Sequence, residues 1–323
     1  MRELSYIEAI REALDQEMAR DEKVFVIGED VGAGHGVYGA TNGLYEKYGA
    51  KRAIDTPISE SAILGAAAGS AQLGLRPVAE VMYMDFMCVC MDTLVNQAAK
   101  ASYMSGGKTS VPMVLRTVYG TGPCVAAQHS QCLETWFAHV PGLKVVTPST
   151  PYDAKGLLIT AIRDNNPVVF CEHKLIYPLT GPVPEESYAI PFGKADIKRA
   201  GTDVTLITTG AMVHDALAVA EELAAEGVSV EVIDPRTIQP LDMETILASV
   251  KKTHRAVVAH EAVKFCGFGG EIASSIMEEA FDYLDAPVVR IGAKFSPIPY
   301  YWEQEKEILP QRSDLIAGIK SIL

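Results

Sequence analysis

Hydrophobic and polar positions switch between two periods along this chain, and the switches mark its elements. Ile7, Ile10, Ala13 and Leu14 recur at helical spacing, which predicts an amphipathic opening helix from Leu4 to about Ala19. Val24 to Ile27 is a short apolar run of the kind a buried strand makes, and it leads into a glycine-rich loop at Gly28. A short strand stops at Asp55. Pro57 cannot sit inside a ladder and Ser59 is a good N-cap, so a helix is expected to start there and run to about Leu73, with Glu60 in its first turn. A strand at Val78 to Met82, a long helix from about Asp85 to Met104, and strands at Pro112 to Arg116 and Leu143 to Val146 follow. Ser149-Thr150-Pro151 supplies a cap and a first-turn proline for a helix from about Tyr152 to Arg163, and Val168 to Cys171 reads as the next strand. Between Tyr177 and Gly201 the periodicity lapses into a Pro- and Glu-rich segment, after which strands and helices alternate again to a closing helix at Ser313 to Leu323. This alternation predicts an α/β chain of two domains, residues 1–176 and 201–323, joined by a linker at 177–200, with a mostly parallel sheet flanked by helices in the first.

Composition narrows the functions open to such a fold. With 323 residues, 48% of them hydrophobic and 21% charged, the chain has ample core for two globular domains. A formal charge of −13 with no basic stripe excludes a phosphate-backbone partner, so no nucleic acid is expected. No apolar run reaches the length of a membrane span, and the mixed-charge N-terminus is unlike a targeting peptide, so the cytoplasm is the default location. The six cysteines read as reduced residues. Cys88, Cys90, Cys124, His129 and Cys132 lack the C-x-x-C pair that would anchor a zinc site.

Several stretches carry candidate chemistry. A first-turn Glu such as Glu60 commonly just complements the helix dipole. Behind it, however, Gly65 and Gly69 lie four apart among Ala66, Ala67, Ala68 and Ala71, although each mid-helix Gly costs about 1 kcal/mol relative to Ala. So small a face predicts a close neighbour, a buried helix and a crowded interface around Glu60. Gly34, Gly36 and Gly39 fit G-x-G-x-x-G, but the preceding strand ends too early and Gly43 and Gly49 interrupt the helix that should follow; a loop over a site fits better. Met82 and Phe86 sit where a strand gives way to a helix. Core packing is their ordinary role, and an aromatic at this edge can also stack on a planar heterocycle. His129 stands in a glycine-rich loop after a strand, among Gln128, Ser130 and Gln131, neighbours able to hold its ring in one tautomer, which favours a catalytic role. At the end of the helix before Pro167, the carbonyls of Ala161, Ile162 and Asp164 should lack intrahelical partners; a monovalent cation, solvent or a turn would satisfy them. His260-Glu261-Ala262 offers an acid and a base, but helix capping and interface packing explain these residues as readily, and they are not placed among the catalytic ones.

Gly28-Glu29-Asp30-Val31, Thr56-Pro57-Ile58-Ser59-Glu60, Ala127-Gln128-His129-Ser130-Gln131, Pro141-Gly142-Leu143-Lys144-Val145-Val146 and Ser149-Thr150-Pro151-Tyr152-Asp153-Ala154-Lys155-Gly156-Leu157 together resemble the beta subunits of the thiamine-diphosphate-dependent first component of 2-oxo acid dehydrogenase complexes, or of the similar acetoin dehydrogenases. The resemblance covers essentially the whole chain. It implies a pyrimidine-binding domain followed by a transketolase-type C-terminal domain. Glu60 matches the glutamate that shares a proton with the cofactor's pyrimidine nitrogen, Ile58, Met82 and Phe86 match pyrimidine-lining positions, and His129 matches a histidine assigned to proton handling and acyl transfer toward lipoyl. Met113, Ala161, Ile162, Asp164 and Asn166 match a potassium site.

The superfamily holds diphosphate and magnesium with a Gly-Asp-Gly followed by Asn, and no Gly-Asp-Gly occurs here. The resemblance therefore implies an alpha subunit that carries magnesium and the other half of the site in an alpha-two beta-two assembly, together with a lipoyl acyltransferase core. Residues 86–92 and Glu172-His173-Lys174 look most like acetoin-cleaving members, the His129 stretch also suits pyruvate enzymes, and branched-chain oxo acids come third. A mainly structural assembly subunit and a dinucleotide oxidoreductase using the Gly34 loop are the readings from other classes; neither accounts for Glu60, Phe86 and His129 together.

Overall fold

The computed structural model describes residues 2–122 and 124–323. The chain divides into two compact units, the first reaching Tyr119 and resuming over Trp136–Phe192, the second formed by Gly120–Thr135 with Gly193–Leu323. In chain order the elements up to the end of the first unit are β1 (Arg2–Ser5), α1 (Tyr6–Arg20), β2 (Val24–Gly28), α2 (Leu44–Tyr48), β3 (Ala53–Asp55), α3 (Glu60–Gln72), β4 (Arg76–Tyr83), α4 (Ala101–Met104), β5 (Val114–Tyr119), α5 (Glu134–Ala138), β6 (Lys144–Val146), α6 (Pro151–Arg163), β7 (Val168–His173) and β8 (Thr180–Val183). The first unit's main sheet runs β6-β7-β5-β4-β2-β3 with neighbours parallel. Every residue of β2, β5 and β7 is buried, as strands covered on both faces are, polar Arg116, Thr117, Glu172 and His173 included. The amphipathic helices α1 and α6 pack on each other.

The second unit continues with β9 (Asp196–Arg199), β10 (Val204–Ile207), α7 (Met212–Ala225), β11 (Val230–Asp234), β12 (Thr237–Gln239), α8 (Met243–Thr253), β13 (Ala256–Val263), α9 (Phe268–Ala280), β14 (Val289–Ala293), α10 (Trp302–Ile308) and α11 (Arg312–Lys320). Its sheet runs β14-β13-β10-β11-β9, parallel except for the β11–β9 pair. Val204, Leu206, Val232, Val257 and Ala259 of the sheet pack with Ala216, Val219, Ala220 and Leu223 of α7 and Leu315 and Ile319 of α11.

Three stretches depart from the sequence expectation. The opening helix starts at Tyr6, not Leu4, because Ser5 and Glu8 close a reciprocal capping box; Leu4 lies in β1, which pairs antiparallel with β8. The linker at 177–200 contains β8 and β9, and its Pro184, Glu185 and Glu186 carbonyls all accept from the fully buried Lys155 Nζ, at 2.6, 3.2 and 2.9 Å. The single helix expected from Asp85 to Met104 is broken into a tight turn at Met84–Cys90, a wide turn at Thr93–Ala98, and α4. Met84, Met87 and Cys90 are buried at a spacing of three, which matches three residues per turn and selects the tighter winding.

Candidate functional site

Glu60 occupies the first turn of α3, where the positive end of the helix dipole meets its carboxylate. Ser59 is the N-cap, but its side chain makes no cap hydrogen bond. Glu60 is half-buried, and among the described residues its carboxylate forms no hydrogen bond or ion pair. α3 buries Ile63, Leu64, Ala67, Ala68 and Ala71, while Ala62, Gly65, Ala66 and Gly69 are exposed on the opposite side. A Cβ built on Gly65 or Gly69 would meet nothing within 4 Å, so the close neighbour that these glycines imply is not among the described residues of this chain. Ile58, two residues before Glu60, is 77% exposed.

Acids gather around this helix start. Burial, then the charges of Asp30 and Glu60, raise the Glu29 carboxyl. Burial and then the charge of Glu60 push the Cys90 thiol up to about 12. Asp55 accepts the Gly32 and Ala33 amides and so anchors the loop that follows Glu29 and Asp30. The Met84–Cys90 turn is fastened to α3 by the Ser61 hydroxyl, which donates to the Val89 carbonyl at 2.8 Å. This turn carries Phe86, half-buried with its ring edge-on to Tyr83 at 5.6 Å, and Met82, also half-buried, lies at the end of β4 that leads into it. Ile58, Glu60, Met82 and Phe86 therefore all stand at the carboxyl ends of β3 and β4 or at the start of α3, within the first unit.

Beneath this edge, Arg116 grips Glu172 with two hydrogen bonds of 2.6 and 2.8 Å and Glu80 with one of 2.6 Å, and the Tyr177 hydroxyl donates to Glu172 at 2.7 Å. Burial raises the Glu80 carboxyl and the Arg116 charge opposes that rise. One guanidinium thus compensates two carboxylates on three adjacent strands, β4, β5 and β7.

His129 belongs to the second unit, in the segment Gly120–Thr135, and is half-buried. Cys124 and Ala126 in this segment hold φ of 60° and 64°, a region that costs non-glycine residues on the order of 1 kcal/mol each. Two carboxylates supply the restraint. Glu261, from β13, accepts the Thr121 amide at 2.5 Å, the Thr121 hydroxyl at 2.6 Å and the Cys132 thiol at 3.9 Å. Glu305, from α10 and 1% exposed, accepts the Gly122 amide at 2.5 Å. Glu134 is 2% exposed, and burial, helped by the charge of Glu261, raises its carboxyl to about 7 against its backbone hydrogen bond. Glu134 and Glu305 carry no signal in the sequence, and for Glu261 an acid's role, helix capping and interface packing fit the local pattern equally, since nothing there points to a partner 140 residues earlier in the chain.

The carbonyls at the end of α6 already accept hydrogen bonds from within the chain. Arg76 Nη1 donates to Ile162 O at 2.9 Å and to Asp164 O at 3.0 Å, and the Asp164 amide donates to Ala161 O at 3.3 Å. The Asp164 carboxylate pairs with Lys144 and accepts from Asn166 N at 2.8 Å, and Met113 O accepts from the Val168 amide at 3.0 Å. A potassium ion on this residue set would share its oxygens with a guanidinium already in place. Among the described residues, no His, Cys, Asp and Glu side chains come together in a group able to hold a metal ion. Among the described residues, no helix is long and apolar enough to cross a membrane.

Comparison with known proteins bears on this geometry. Residues 2–180 match the pyrimidine binding domain of transketolase, and residues 193–315 match its C-terminal domain. A "split gene transketolase, inactive beta4 tetramer" superposes with a TM-score of 0.81 at 21% identity, covering 99% of this chain and 98% of that one, which shows the shared fold. Among characterised sequences, the acetoin:2,6-dichlorophenolindophenol oxidoreductase beta subunit of Cupriavidus necator is 50% identical over 100% of this chain and 98% of its own. The pyruvate dehydrogenase E1 component beta subunit of Rickettsia felis is 49% identical over 98% and 97%. With both transketolase domains in order and identity of this level along its full length, the chain belongs to the transketolase-like family of acetoin dehydrogenase and pyruvate dehydrogenase E1 beta subunits.

Proposed function

We propose that this chain is the beta subunit of a thiamine-diphosphate-dependent oxidoreductase that takes a two-carbon acyl unit from acetoin or pyruvate and passes it to the lipoyl group of an acyltransferase core, acting with an alpha subunit in an alpha-two beta-two assembly. One observation carries the reading. Glu60 stands unpaired at the start of a helix whose outer face is glycine and alanine, with other acids close by. A concentration of carboxylates at one edge favours a ligand that brings a proton or a positive charge, and the aminopyrimidine end of thiamine diphosphate offers both. Thiamine diphosphate, when bound, supplies the nucleophilic carbon and the electron sink for the acyl unit.

This chain's own residues hold and orient. Glu60 keeps a proton at the pyrimidine nitrogen, where burial of its half-exposed carboxylate by ligand and partner strengthens that hydrogen bond. Met82 and Phe86 flank the heterocycle and Ile58 covers it, keeping water from that proton. His129 handles a proton at the acyl-transfer step. The diphosphate and magnesium belong to the alpha subunit, since no Gly-Asp-Gly is present here. The open Gly65–Gly69 face is where its backbone approaches.

The test is reconstitution with the cognate alpha subunit. The assembled enzyme should turn over acetoin or pyruvate faster than branched-chain oxo acids. Glu60→Ala should abolish turnover while the assembly remains intact. Full turnover by the chain alone, or by the Glu60→Ala assembly, overturns the proposal, and the second result would return the chain to a purely structural role.

A further inference from the structure

We propose that Glu261 and Glu305 are positioning residues that clamp the Gly120–Thr135 segment and thereby fix His129 for its reaction. The inference rests on the reading of His129 as a proton-handling group and extends it to side chains far away in sequence. Glu261 takes hold of the segment on both sides of His129, at Thr121 by two hydrogen bonds and at Cys132 by one. Glu305 adds a third point of attachment at Gly122. Glu305 is buried, a setting in which a carboxylate oxygen is costly without a donor, and the Gly122 amide supplies one; the half-buried Glu261 takes donors from the same segment. The segment needs such restraint. Gly120, Gly122, Cys124 and Ala126 all have positive φ, and between Gly120 and Leu133 there is no helix or strand among the described residues to hold them.

The clamp is itself anchored. His260, beside Glu261, is buried with its ring seated against Gly267, Gly269 and Gly292; a Cβ on any of these would come within 2.4, 2.8 and 2.9 Å of that ring. Its Nδ1 lies 3.0 Å from the Ala262 carbonyl. Burial lowers the pKa of the imidazole to about 4, so it is a neutral wedge at neutral pH and its Nδ1–H is the donor. Glu261 therefore projects from a strand end whose backbone cannot drift.

The test uses the assembled enzyme with Glu261→Ala, Glu261→Gln, Glu305→Ala and His129→Ala, alone and with each carboxylate variant combined with His129→Ala. Turnover is read twice, with lipoyl acceptor and with an artificial dye that bypasses acyl transfer. The clamp predicts that Glu261→Ala lowers lipoyl-dependent kcat by about 10- to 100-fold, with dye-dependent turnover and substrate KM within about twofold of the parent. The loss should not deepen when His129→Ala is added. Glu261→Gln should recover most of the rate, because its amide oxygen still accepts from Thr121. Losses that multiply with His129→Ala, or that fall equally on both acceptors, would make the carboxylates merely structural and overturn the proposal. Hydrogen exchange over residues 120–135 reads the clamp apart from the chemistry. At least about tenfold faster exchange in Glu261→Ala or Glu305→Ala supports it, and unchanged exchange in both overturns it. Unimpaired lipoyl turnover in His129→Ala alone would instead overturn the role given to His129.

Discussion

Replacing both Gly65 and Gly69 with alanine should move stability and assembly in opposite directions. In the chain as it stands, both positions are helical, exposed and free of any atom within 4 Å of an added Cβ. Relieving two mid-helix glycines is then worth about 1 kcal/mol each, about 2 kcal/mol in all. For a chain of this size each kcal/mol raises the melting temperature by about 2 °C, so the isolated double variant should melt about 4 °C higher. The same methyls stand where the partner's backbone would lie. Overpacking a close contact costs about 1–3 kcal/mol, which weakens association with the alpha subunit about 5- to 150-fold. Differential scanning calorimetry of the free chain and sedimentation of the mixed subunits give the two numbers, and Gly65→Leu should enlarge the second. A double variant that assembles and turns over like the parent would remove this helix face from the subunit contact. One that melts lower would mean the space beside the helix is not open.

Other consequences follow from the buried charges. Arg116→Met leaves Glu80 and Glu172 buried without their cation, which should cost about 3–5 kcal/mol; thermal unfolding at pH 8 should show the variant melting well below the parent, and an unchanged melting point would refute this. Glu134 has a folded pKa of about 7 against an ordinary glutamate value of 4.5, so the folded state holds its proton longer than the unfolded one. Its contribution is intact below about pH 4.5 and is lost as pH rises to 7, a change of about 3 kcal/mol. Glu134→Gln should flatten the stability profile across that window, and denaturant titrations at pH 5 and pH 8 that show equal effects of the substitution would count against it. Arg76→Met strips the donors from Ile162 O and Asp164 O, costing about 1–3 kcal/mol. Potassium chloride should restore part of this loss and choline chloride none; a parent protein that itself gains stability from potassium would show that the guanidinium does not fill the position.

The alternation of strands and helices was readable because the parallel strands are nearly continuous runs of Val, Ile and Phe, and such runs have few other homes. What escaped was non-local. Arg2-Glu3-Leu4-Ser5 and Asp196-Ile197-Lys198-Arg199 are short and polar, and they become strands only through partners that local pattern does not reveal. The Met84, Met87, Cys90 spacing was read as part of an ordinary helix when its period was already three. At the candidate site, Pro57 and Ser59 locate Glu60 at a helix start, since that placement depends on adjacent residues alone. The openness of the Gly65–Gly69 face could not be read, because small residues announce a neighbour without saying which chain provides it. Arg76 reaches Ile162 O across 86 residues, and Glu305 reaches Gly122 across 183, distances at which side-chain chemistry leaves no periodic trace.

The long reach of Glu261 also sets an order of events during synthesis. At about 5–20 residues per second, the 140 residues between Thr121 and its carboxylate take about 7–30 s to emerge from the ribosome. Through that interval the His129 segment has been made but the carboxylates of Glu261 and Glu305 are not yet there to hold it. Nascent chains halted before Glu261 should therefore show protease-sensitive bonds between Gly120 and Thr135, and the sensitivity should vanish once translation has passed Glu305.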